Sequence, residues 1–193
     1  MRTLALFLTL AVGSVLAEAP PPPRQSPEFT LNLEGGKQEL LSKYRGKVCL
    51  VEFLYTTCSH CQHTAQTISK IQNDLGPQGF QALGVAFNPM ASMLVPDFVK
   101  QFGATFPVAY ADRDKVLNYL KIAPEERFVV PQVLIIDRKG VIRAQSPPLG
   151  DANLQDEGYL RKMIEGLLKE APAKPMAAKP AAAPATKAPS AKK

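Results

Sequence analysis

Val48-Cys49-Leu50-Val51-Glu52-Phe53-Leu54-Tyr55-Thr56-Thr57-Cys58-Ser59-His60-Cys61 is the stretch from which the rest of the chain is read. Its first eight residues are nearly all apolar and rich in β-formers, the pattern of a central strand covered on both faces. From Cys58 the period changes. Cys61, Ala65, Ile68, Ile71 and Leu75 recur at spacings of three or four, which defines one inward stripe of a helix that Gly76-Pro77 ends. A Cys-x-x-Cys pair therefore opens a helix directly behind a buried strand. The helix N-terminus presents unpaired N–H groups and a partial positive charge, which favour a thiolate on the first cysteine. One helical turn of separation brings the second sulfur close enough to attack a mixed disulfide at the first. Cys58 is expected to be the exposed, attacking thiol and Cys61, on the inward stripe, the sheltered, resolving one.

Outward from this stretch, the patterning alternates β and α. Phe29 to Leu33 alternates apolar and polar, Glu34 to Lys37 turns, and Gln38 to Tyr44 returns, which predicts an N-terminal hairpin. After the helix, Phe80 to Phe87 reads as a strand, Ser92 to Phe102 as a helix, Phe106 to Ala111 as a short strand and Lys115 to Leu120 as a short helix. Gln132 to Asp137 and Val141 to Gln145, joined by Arg138-Lys139-Gly140, predict a second hairpin, and Leu154 to Lys169 an amphipathic closing helix. The fold class this implies is α/β, a mixed central sheet flanked by helices on both faces, over residues 28–170.

The segment around Cys58-Ser59-His60-Cys61 resembles the thioredoxin superfamily, and the resemblance runs from about Phe29 to Leu168. It implies a thioredoxin-like fold and thiol-disulfide oxidoreductase activity toward protein thiols and disulfides, with no cofactor. Glu52, six residues before Cys58, stands where such proteins carry a buried acid. A carboxylate in so apolar a strand is costly unless protonated or partnered, and the resemblance implies that it relays a proton to or from Cys61 through water. Val130-Pro131 matches the position of a cis-proline that packs against the dithiol, with Val130 offering its backbone to an extended substrate and Thr57 bordering the attacking sulfur. The order of elements is most similar to the TlpA-type and redoxin branch. Two positions depart from that branch: Thr57 replaces a tryptophan before the first cysteine, and Ser59 replaces a proline between the cysteines. His60 is similar instead to the histidine of DsbA-type oxidants, which stabilises the thiolate and makes the disulfide more oxidising.

Three other readings use the same residues. A metal site could draw on Cys58, His60, Cys61 and His63, but all four lie within one helical stretch that cannot wrap a tetrahedral ion, so no metal is expected. A peroxiredoxin-like peroxidase needs threonine or serine three residues before the attacking cysteine and proline four residues earlier; Tyr55 and Val51 stand there. A redox-inert binding scaffold would leave the pair as a staple, yet a bridge three residues apart closes too short a loop to add much stability. Cys49, the third cysteine, sits on the strand face opposite Glu52 and is expected to be a buried small hydrophobe.

The ends read differently from the domain. Met1-Arg2-Thr3, an apolar run from Leu4 to Leu16, and Val15 and Ala17 at the minus-three and minus-one positions predict a signal peptide over 1–17 and an extracytoplasmic location, periplasmic or secreted. An uncleaved anchor is the alternative. Residues 18–27 read as a Pro-rich linker, with Pro20 to Pro23 as a polyproline spacer. Residues 171–193 are Ala, Pro and Lys with neither acid nor aromatic and are expected to be disordered. The lysines at 174, 179, 187, 192 and 193 supply five of the formal net charge of +6, so the basic balance belongs to the tail. It is no argument for nucleic acid: the tail reads as a solubilising extension, with contact to an anionic cell envelope as the alternative. Neither the electron donor or acceptor nor the substrate proteins are written in the chain.

Overall fold

A computed structural model describes residues 22–170; the predicted signal peptide, Pro20, Pro21 and the Lys-rich tail lie outside the described residues. Within them the strands are β1 (Arg24–Gln25), β2 (Thr30–Asn32), β3 (Gln38–Leu40), β4 (Val48–Leu54), β5 (Phe80–Ala86), β6 (Val108–Tyr110), β7 (Gln132–Ile136) and β8 (Val141–Gln145). The helices are α1 (Ser59–Leu75), α2 (Ala91–Phe102), α3 (Arg113–Leu120) and α4 (Glu157–Lys169). The strands form one sheet in the order β1-β8-β7-β4-β5-β6-β2-β3. β4 pairs in parallel with β5 and antiparallel with β7, so the sheet is mixed, as the patterning predicts.

All seven residues of β4 are buried, and its two-residue period divides the core in two. Val48, Leu50 and Leu54 pack with Cys61, Ala65, Ile68, Ile71 and Leu75 of α1 and with buried residues of α2 and α4. Cys49, Val51 and Phe53 face the other way, onto Val116, Leu117 and Leu120 of α3. Cys49 is thus a buried small residue with its back to Glu52, and its thiol meets only the carbonyls of Tyr44 and Lys47, at 3.7 and 3.9 Å.

Several boundaries differ from the sequence reading, each for a physical reason. The 18–27 stretch is not a free linker along its described part. Arg24 and Gln25 pair antiparallel with Ile142 and Val141 and so cap one sheet edge. Residues 26–29 then carry the chain to the opposite edge, where Phe29 packs edge-on against Phe53 at 5.7 Å and against Tyr119 at 5.0 Å. The return strand of the N-terminal hairpin stops at Leu40, because Leu41–Tyr44 tightens into a 3-10 turn. β6 is shorter than 106–111, since Pro107 has no N–H to give a ladder. The last helix starts at Glu157 rather than Leu154, because the Asp156 side chain accepts the Tyr159 N–H at 2.8 Å and caps it there.

Candidate dithiol site

The parallel strands β4 and β5 end at the same side of the sheet, and the loops that follow them meet there. Thr56, just past β4, receives three contacts from this meeting. Its N–H and hydroxyl both donate to Asn88 Oδ1, at 3.0 and 3.3 Å, and the Asn88 amide lies 3.1 Å from its hydroxyl oxygen. Gln62 of α1 donates to the Thr56 carbonyl at 3.0 Å. The approach to α1 is therefore held from both sides. Neither Asn88 nor Gln62 was singled out from the sequence, although Asn88-Pro89 directly behind an apolar strand is a turn marker that could have drawn attention to it.

Cys58 occupies the N-cap of α1 with extended backbone angles, φ −88° and ψ 120°, and its N–H donates to the Tyr55 carbonyl at 3.0 Å. The sulfur consequently sits at the positive end of a 17-residue helix. Cys61 is wholly buried, whereas Cys58 is half-exposed and Thr57, Ser59 and His60 face solvent. Both thiols are free. The Cys58 thiol donates toward the Val130 carbonyl at 3.8 Å, across 72 residues of sequence, and the Val130–Pro131 peptide is cis, as is Pro22–Pro23. The structure thus gathers Cys58, Cys61, Val130 and Pro131 around one sulfur, with Thr57 beside it.

Beneath them lies Glu52, fully buried, with neither carboxyl oxygen in a hydrogen bond. Burial, and next the charge of a Cys58 thiolate, hold its carboxyl well above the usual range. Burial likewise pushes the Cys61 thiol up, and a Glu52 carboxylate pushes it further. Both groups are thus held in their protonated forms, chiefly by burial. His60 stands apart from this group. It is exposed on the outer side of α1 and borders a groove with Val129 and Leu149.

Gln132 is the residue that sequence reading missed most completely. It is fully buried at the start of β7, and its Nε2 donates to the carbonyls of Val129 at 2.8 Å, Pro148 at 3.0 Å and Pro147 at 3.2 Å. Its Oε1 has no partner. One amide therefore ties the Val130-Pro131 loop to the loop after β8, and Val129 N–H to Pro148 O at 2.9 Å completes the tie. Among the described residues no group of three or more His, Cys, Asp or Glu side chains is gathered that could hold a metal ion.

Comparison with known proteins fits this geometry. The AhpC/TSA family matches residues 22–145. The thiol-disulfide oxidoreductase ResA of Geobacillus kaustophilus is 29% identical over 118 residues, which is 61% of this chain and 64% of that protein. ResA of Bacillus anthracis is 26% identical over 142 residues, 72% of this chain and 77% of that one. The chain thus spans 64% of the length of the Geobacillus relative. Among solved structures, a thiol:disulfide interchange protein of the thioredoxin family from Chlorobium tepidum superposes with a TM-score of 0.62 at 20% identity, covering 78% of this chain and 99% of that one. At that identity the likeness is one of fold, and it establishes the thioredoxin-like architecture.

Proposed function

The chain belongs to the AhpC/TSA family, and on that premise we propose that it is a thiol-disulfide oxidoreductase that exchanges disulfides with protein partners through Cys58 and Cys61. One observation carries the reading: the half-exposed Cys58 sulfur points at the Val130 carbonyl while Cys61 and an unpartnered Glu52 lie buried behind it. In the reducing direction, the Cys58 thiolate attacks a partner disulfide, forms a mixed disulfide and releases one partner thiolate. Cys61 then gives up its proton, relayed through the protonated Glu52 carboxyl, and attacks the Cys58 sulfur. The Cys58–Cys61 disulfide forms, the second partner sulfur leaves as a thiolate, and two electrons have passed to the partner. The oxidising direction is the same sequence reversed.

Val130, Pro131 and Thr57 border the attacking sulfur and would present backbone and surface to the partner. The leader-like pattern of Met1 to Ala17 supports work in an extracytoplasmic compartment, with an unidentified electron donor or acceptor there. Among the described residues no helix is long and apolar enough to cross a membrane. The peroxidase alternative loses support from Tyr55, whose ring packs on Phe87 at 4.7 Å in the place where a short hydroxyl side chain would be needed.

The test is the equilibrium reduction potential of the pair against a glutathione series, with Cys49→Ser to remove the third thiol. A value near about −270 mV marks a reductase of the thioredoxin kind, and one near about −120 mV an oxidant of the DsbA kind. In the second case His60→Ala lowers the potential; an unchanged value makes His60 a bystander. Absence of any reversible dithiol couple, or rapid peroxide consumption that depends on Cys58, would sink the proposal.

A further inference from the structure

The loop after β8 borders a shallow, open groove that is also lined by His60, two residues from Cys58, and by Val129, next to the residue whose carbonyl receives the Cys58 thiol. Val129 is 40% exposed, and Leu149, on the same surface, is 67% exposed. Two large aliphatic side chains left in water in this groove offer apolar area to whatever docks there. Beyond them the groove is lined by His60, Gln155, Asp151 and Asp156.

The two aspartates serve the backbone with one oxygen each. Asp151 Oδ1 accepts the Asn153 N–H at 2.9 Å, and Asp156 Oδ1 accepts the Tyr159 N–H at 2.8 Å. Among the described residues neither is in an ion pair, and Arg161 and Lys70 are engaged with Asp74 and Glu157 instead. Negative charge and aliphatic surface thus line one groove that reaches His60 and Val129, within two residues of Cys58 and Val130 in the chain. The walls are also fixed in place by the Gln132 amide, which holds Val129, Pro147 and Pro148 together. A groove on rigid supports is suited to reading a partner's side chains.

We propose that this groove is the specificity surface of the dithiol and takes an extended polypeptide segment whose cysteine is flanked by an aliphatic and a basic side chain. The aliphatic group covers Leu149 and Val129, and the basic one faces Asp151 and Asp156. The proposal rests on the disulfide-exchange reading above and names its substrate class. Exposed charges of this kind act mainly on encounter and selection, so their effect is on the rate of capture.

The experiment uses the full chain carrying Cys61→Ser, so that attack by Cys58 is trapped as a mixed disulfide whichever way the net reaction runs. Two peptide disulfides of identical sequence are offered, with leucine next to the cysteine and either lysine or glutamate beyond it. The lysine peptide is expected to be captured about tenfold faster at low salt. The ratio should fall toward one at high salt and in the added Asp151→Asn/Asp156→Asn double variant, in which asparagine keeps both backbone hydrogen bonds and the helix cap. Equal capture of both peptides overturns the inference and leaves the exchange reading standing. Capture of neither overturns both. Faster capture of both peptides by the double variant also overturns it, because it makes the chain's own lysine-rich 171–193 segment the occupant.

Discussion

Two buried carboxylates, one in the centre of the sheet and one at its hairpin edge, receive opposite treatment from the same fold. Glu39 on β3 is 9% exposed and meets Lys37 and Lys43 at 2.7 Å each and the Tyr44 hydroxyl at 2.8 Å. These donors hold its carboxyl down to about 2. Glu52 on β4 is fully buried without any partner, and burial holds it up. The first arrangement is what structure requires of a buried acid. The second keeps a proton ready to move beside a thiol that must lose one. The difference shows that burial alone does not fix a carboxyl's protonation: partners hold Glu39 ionised, and their absence leaves Glu52 neutral.

Glu52→Gln gives the strongest test of that contrast. It retains shape but cannot relay a proton to or from Cys61, so resolution of a mixed disulfide should slow by about 10²-fold while the initial attack by Cys58 changes little. Stopped-flow measurement of the two phases separates them, and equal slowing of both would mean that Glu52 only shapes the site. Stability should move the other way. With the folded pKa raised, the folded state binds the extra proton, so wild-type stability declines as pH rises above about 4.5, the ordinary carboxyl value. Glu52→Gln removes that decline, and urea midpoints of the two proteins should diverge upward from that pH.

Gln132→Leu is expected to cost about 2 kcal/mol, because it removes a fully buried amide that donates to three loop carbonyls and gains only apolar contact. The same variant should alter alkylation of Cys58 by loosening the Val130 loop; a change in stability with no change in Cys58 reactivity would confine Gln132 to folding. The smallest effect is at the edge. Glu39→Gln should destabilise at neutral pH, and the difference from wild type should disappear as pH falls from about 4.5 to about 2. The sign follows from the depressed folded pKa: the contribution is present above the unfolded value and lost as the folded group takes its proton. A pH-independent difference in thermal melts would remove the ion pairs as its cause.

Much of the dithiol was legible in sequence because it depends on near neighbours. Cys58, Cys61 and the inward stripe share one helical period, and Glu52 and Cys49 separate by strand parity alone. Pro131, placed just before an apolar strand, was singled out by the resemblance to the thioredoxin superfamily. Gln132 was not, because the carbonyls it holds at Pro147 and Pro148 lie 15 and 16 residues further on and nothing local marks them. β1 was hidden for the same reason, as two polar residues become a strand only through pairing with Val141 and Ile142. Glu39 had both lysines within four residues, yet its burial depends on hairpin packing at the sheet edge.

The sequence by itself determined the alternation of β and α elements, the polarity of the cysteine pair and which face of β4 carries the acid, since these follow from periods of two and 3.6 along a continuous chain. Only the tertiary structure decided that Glu52 would find no partner, that one amide would clamp the cis-proline loop, and that Asp151 and Asp156 would line one groove with exposed Leu149, Val129 and His60. Those facts depend on which distant segments the strand order brings together, and hydrogen bonds and charges act over a few ångströms that the linear chain does not record.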